Sequence, residues 1–143
     1  MRFWDTSAII PLVIVEGATR AALRCLREDG DLAVWWATSV ECASAIARLE
    51  REGMRTSDVA EALVRLETLA AAWTEVEPQD EIREIAQRLL RVHPLRAADA
   101  LQLAAAYLVA ERRPSSLELV TLDTRVASAA AKEGFTVIQP LHQ

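Results

Sequence analysis

Glycine, histidine, cysteine and lysine are all scarce in this 143-residue sequence, and each shortage removes a class of chemistry. The four glycines form no phosphate-cradling loop of the Walker or dinucleotide type, which disfavours nucleotide-dependent enzymes. Of the two histidines, His93 precedes a proline and His142 lies one residue from the C-terminus. Neither makes a convincing general base or zinc ligand, so histidine-based nucleases and serine hydrolases are improbable. Cys25 and Cys42 lack metal-type spacing and read as small buried hydrophobes rather than a disulfide or a zinc site. No apolar run is long enough to cross a bilayer, and the N-terminus lacks the basic region, apolar core and cleavage site of a signal peptide, so a cytoplasmic location is expected.

Lys132 is the only lysine among 16 basic residues, which face 21 acidic ones for a net charge of −5. A chain that coated nucleic acid by bulk electrostatics would be basic. An anionic substrate would therefore need local help. The arginine bias suits bidentate phosphate contacts, although codon usage explains it equally well.

What the sequence does have is 52% hydrophobic residues, ordered as alternating strands and helices. Short apolar strands are expected at 2–4, 32–36, 74–77, 117–122 and 135–138. Between them, apolar residues recur at helical spacing over 56–73 (Val59, Leu63, Leu66, and Leu69 or Ala70) and over 81–92 (Ile82, Ile85, Ala86, Leu89). The stretch 95–110 is apolar nearly all round, as in a central buried helix. No repeat or linker divides the chain, so one domain over 1–143 is expected. The alternation argues for an α/β fold with a mostly parallel sheet of about five strands, covered on both faces.

In open sheets of this kind, sites form beyond the carboxyl ends of the strands. Asp5 follows the first strand in FWDTSAII, Glu41 lies past the second, Asp123 past the fourth, and Asp99 occupies the first turn of the central helix. Each acid has a plainer reading. Asp5 or Asp123 could cap a helix, Thr38 and Glu41 could form a capping box, and Asp99 could be held by Arg96 and the helix dipole. Jointly they are harder to explain that way, because caps can equally be Ser, Thr or Asn. Four carboxylates at one rim repel one another unless protons or cations intervene. Mg²⁺ or Mn²⁺, a hard ion with oxygen ligands, would resolve the repulsion and let an acidic pocket accept a phosphodiester. A metal-activated water is then the simplest nucleophile.

The segments WDTSAII (4–10), SVECASAIARL (39–49), LRAADALQLAAA (95–106) and LVTLDTRVASAAAKEGF (119–135), in this order and spacing, resemble those of PIN-domain ribonucleases, and within them the VapC toxins of toxin–antitoxin pairs. The resemblance spans essentially the whole chain and implies a three-layer α/β/α domain that hydrolyses RNA with Mg²⁺ or Mn²⁺. By position, Asp5, Glu41 and Asp99 look like the central ligands and Asp123 like the fourth acid. Thr6 or Ser7 would position a water or phosphate oxygen, and Thr121 would share a face with Asp123. Gln102 stands where many relatives carry a histidine, a departure expected to touch substrate contacts rather than the metal.

The family further implies a homodimer held inactive by a VapB-type antitoxin, with Trp35, Trp36, the helix from Ser7 to Val15 and the helix from Thr56 to Trp73 as possible lining. For Trp35 and the periodic leucines, core packing is the simpler reading. A non-toxin RNA-processing nuclease and a catalytically silent PIN-fold binding module are the alternatives. Dehalogenase-like phosphatases fit poorly, since they need a second acid where this chain has Ser7. A receiver domain fails similarly, because its phosphoacceptor follows a middle strand.

Overall fold

A computed structural model of the chain describes residues 1–141. The expected alternation appears as β1 (Arg2–Trp4), α1 (Thr6–Val13), α2 (Thr19–Glu28), β2 (Leu32–Trp35), α3 (Thr38–Arg51), α4 (Thr56–Ala72) and β3 (Thr74–Val76). It continues through α5 (Asp80–Val92), α6 (Ala97–Val109), a 3₁₀ turn at Pro114–Ser116, β4 (Glu118–Val120), α7 (Thr124–Glu133) and β5 (Thr136–Ile138). Every strand pairing is parallel, and the order across the sheet is β3-β2-β1-β4-β5. The chain steps outward from β1 through β2 to β3, then crosses back to lay β4 against the other side of β1. That reversal places a crevice between the carboxyl ends of β1 and β4.

Successive strand residues point to opposite faces, and both faces are covered. Phe3, Ala33, Trp35 and Leu119 join one core with α5, α6 and α7. Trp4, Leu32, Val34 and Val120 join a second core with α1, α2, α3 and α4. This two-sided burial is why the strands read as continuous apolar runs rather than alternating ones, and it makes the fold a three-layer α/β/α sandwich. In α6, Ala100, Leu103, Ala104, Ala105 and Ala106 are fully buried. The small alanine side chains let this helix lie close to the sheet and to α5.

Two expectations need correction. β2 ends at Trp35, which is buried, so Trp36 falls outside the strand and is half exposed. On α4 the buried stripe runs through Val59, Ala62 and Leu66 rather than Leu63, which faces outward. α4 packs chiefly against α1 and α3. His142 lies outside the described residues. No described helix is long and apolar enough to cross a membrane.

Candidate metal centre

Asp5 leaves β1 with its backbone still extended, and its amide donates to the Val120 carbonyl (2.9 Å), carrying the β1–β4 pairing one residue further. It occupies the N-cap position of α1, yet its side chain makes no cap bond. The carboxylate is instead buried in the crevice, where Oδ2 accepts from the Ser7 hydroxyl (2.5 Å) and the Thr121 hydroxyl (2.9 Å). Burial pushes its pKa above the ordinary value; the two hydroxyls oppose the shift, and the negative charges of Asp123 and Asp99 reinforce it. Ser7 does further work, since its oxygen accepts from the amides of Leu122 (2.8 Å) and Asp123 (3.2 Å). The Asp123 amide also donates to the Thr121 oxygen (3.0 Å). The β1–α1 and β4–α7 junctions are thereby tied together around one carboxylate.

Glu41 approaches from α3. The expected capping box at Thr38 and Glu41 does not form: Thr38 is already the first residue of the helix, and Ala37 precedes it without a side-chain cap. Thr38 is buried inward, and Glu41 is half-buried. Burial raises the Glu41 pKa, hydrogen bonds from Thr6 and Gln102 oppose that, and Asp5 and Asp99 add to it. Beneath it, burial pushes the Cys42 thiol up to about 12, with Glu41 and Asp5 contributing. A thiol so protonated is no nucleophile, in keeping with its reading as a small hydrophobe.

Asp123 does cap α7, its Oδ1 accepting from the amides of Arg125 (2.8 Å) and Val126 (3.3 Å). Asp99 accepts the Arg96 amide through Oδ2 (3.3 Å), while the Arg96 guanidinium is not its ion-pair partner. A common feature emerges in Asp5, Asp99 and Asp123. One oxygen of each is held by the fold and the other receives no hydrogen bond from the described residues. Capping and ligation are therefore compatible roles for these acids.

Among the described residues, no cation pairs with Asp5, Glu41, Asp99 or Asp123. The donor set is wholly oxygen, from carboxylates and hydroxyls, which is the chemistry of a hard divalent ion rather than a soft one. The acids sense one another's charge, but among the described residues no three His, Cys, Asp or Glu side chains stand close enough together to hold an ion, so the four-acid cluster expected from the sequence is not assembled as it stands. Sequence reasoning underrated two residues here, Thr38 and Gln102. The available signal was an amide three residues after Asp99, hence on its helix face, in an otherwise apolar helix.

A family model described as PIN domain matches residues 2–132. No curated protein matches the chain. Among solved structures, PAE2754 from Pyrobaculum aerophilum superposes with a TM-score of 0.68 at 23% identity, over 97% of this chain and 90% of that one. A toxin-antitoxin complex from Klebsiella pneumoniae superposes with a TM-score of 0.70 at 20% identity, over 100% of both chains. At such identities the likeness is one of fold.

Proposed function

Because the chain belongs to the PIN-domain family, whose members are typically nucleases, we propose that it is a metal-dependent endoribonuclease of the VapC toxin type. The observation that carries this reading is the Asp5 carboxylate, buried at the β1–β4 crevice with hydroxyl donors but no cation. Asp5, Glu41 and Asp99 would draw together to hold the ion, since no three acids among the described residues stand close enough without it, and Asp123 would complete the set directly or through water. When bound, Mg²⁺ or Mn²⁺ supplies the positive charge that admits a phosphodiester, lowers the pKa of a water and stabilises the leaving oxygen.

The chain's own residues supply geometry. Ser7 and Thr121 fix Asp5 through one oxygen and so aim the other into the crevice. The α7 cap fixes Asp123 in the same way. Four acids without a cation partner would repel RNA until the ion neutralises them, which would make substrate binding conditional on metal.

An antitoxin and a second copy of the chain are the proposed protein partners. The fold shared with a toxin-antitoxin complex supports the first. Half-exposed Trp36, just past β2, and exposed Leu63 and Val64 on α4 offer apolar surface for such contacts. A catalytically silent module is disfavoured because all four acids are present with oxygens to offer. A housekeeping RNA-processing nuclease would use the same centre.

Calorimetric titration with Mn²⁺ tests the centre. Wild-type protein should bind, and Asp5→Asn should weaken binding at least roughly tenfold, since loss of a charged ligand forfeits its full attraction for the ion. Unchanged affinity in Asp5→Asn would remove the basis of the mechanism.

A further inference from the structure

Gln102 lies on α6 with 1% of its surface exposed, in a helix whose other buried residues are alanine and leucine. Its Nε2 lies 2.7 Å from the Thr6 hydroxyl oxygen, 3.2 Å from that of Thr38 and 3.3 Å from Glu41 Oε1. Thr6 comes from the β1–α1 junction, and Thr38 and Glu41 from the start of α3. A single amide thus joins three segments that carry Asp5, Glu41 and, one helical turn before Gln102 itself, Asp99.

Chemistry fixes which way the amide points. Turned over, it would set a carbonyl oxygen against the Glu41 carboxylate, whereas as placed it directs N–H donors there. Receiving one of those donors at 2.7 Å, the Thr6 oxygen keeps its own proton free to turn toward Glu41, whose pKa it lowers. The opposite end of the amide gains nothing from the fold: Gln102 Oε1 is buried without a hydrogen-bond partner among the described residues. An unsatisfied buried acceptor is unfavourable. Stability alone would be better served by an apolar side chain, so the amide is explained by what its donors hold.

We propose that Gln102 is a positioning residue for the metal centre, setting the Glu41 carboxylate and the Thr6 hydroxyl through its Nε2. The inference rests on the metal reading above, and it says that Gln102 acts through Glu41 without touching substrate or ion. Groups that orient metal ligands in this way typically alter metal affinity or activity by about 10–100-fold when removed.

The test is Mn²⁺ calorimetry on Gln102→Met, a side chain of similar length without donors, in the wild-type and Glu41→Gln backgrounds. Gln102→Met should weaken Mn²⁺ binding by about 10–100-fold when Glu41 is present, and should change it less than about twofold when Glu41 is already glutamine, because coupled residues are not additive. Gln102→His, which can return an N–H donor to the same place, should recover most of the loss. Wild-type affinity in Gln102→Met, or an equal loss in both backgrounds, would overturn the inference alone. Absence of Mn²⁺ binding by wild-type protein would overturn the metal reading and this inference with it.

Discussion

At the scale of the residue, Asp5 is a carboxyl that the fold buries at a cost. Its carboxyl and that of Glu41 are raised above their ordinary values chiefly by burial. A group whose pKa is higher folded than unfolded makes the folded state less stable once it ionises. That penalty vanishes as pH falls through the folded value toward the ordinary carboxylate range. Metal-free Asp5→Asn should therefore melt higher than metal-free wild type near neutral pH, by about 1 kcal/mol or roughly 3–5 °C. The gap should close as pH is lowered toward ~4. Melting curves in chelator across that range check both parts. A large drop in the melting temperature of Asp5→Asn at neutral pH would show that Asp5 acts as a structural anchor instead. The sequence identified this acid because an acid directly after an apolar strand is conspicuous. It could not show that Ser7 and Thr121 hold one oxygen, since Thr121 lies 116 positions away from Asp5. In the sequence Gln102 stands out only as a departure from relatives, because a buried amide gains meaning from neighbours that folding brings to it.

At the scale of the element, helices were legible where their faces or ends carry distinct chemistry. α7 is bounded as its residues require: Asp123 caps it, and Gly134 ends it at φ +103°, a left-handed conformation that glycine adopts without strain. The wide apolar surface of α4 fixed a helix but left its burial stripe undetermined by one position, because Ala62 and Leu63 are both apolar. What ties α5, α6 and α7 together was not legible at all. Glu133, at the end of α7, accepts from the Tyr107 hydroxyl (2.5 Å), contacts His93 Nε2 (2.6 Å) and pairs with Arg88 (3.0 Å). Burial alone would raise the Glu133 pKa, but these three partners outweigh it and leave the value lowered. This also assigns His93, which is buried in a structural network rather than placed at the candidate centre.

Glu133→Gln should lower stability at neutral pH by about 1–2 kcal/mol, because it removes charge from several hydrogen bonds at once. A lowered pKa gives stability that is present above the unfolded value and lost as pH falls through the folded one. The penalty of the substitution should accordingly shrink in acid, the opposite of the Asp5 trend. Denaturant unfolding at two pH values measures the difference directly.

At the scale of the whole molecule, the sequence made the alternation of strands and helices plain and left the order of strands open. The hydrophobic pattern says that each strand is buried on both faces, but any parallel arrangement would satisfy it. The order β3-β2-β1-β4-β5 sets Asp5 beside Thr121, and the reversal at β1 opens the crevice in which Asp5 is buried. The net charge of −5 bears on the proposed function. If the proposal holds, an acidic molecule with an acidic crevice would engage RNA only where a bound cation reverses the local sign, so activity should require both the ion and the acids proposed to hold it.

The central claim is tested most directly by cleavage of a mixed cellular RNA pool by purified protein with Mg²⁺, with Mn²⁺ and with chelator, alongside Asp99→Asn. Asparagine keeps the side-chain oxygen that accepts the Arg96 amide, so this variant removes the charge and spares the helix start. Metal-dependent cleavage by wild-type protein that falls by roughly a hundredfold or more in Asp99→Asn is the predicted result. Cleavage that persists in chelator, or that Asp99→Asn leaves unchanged, would contradict the account.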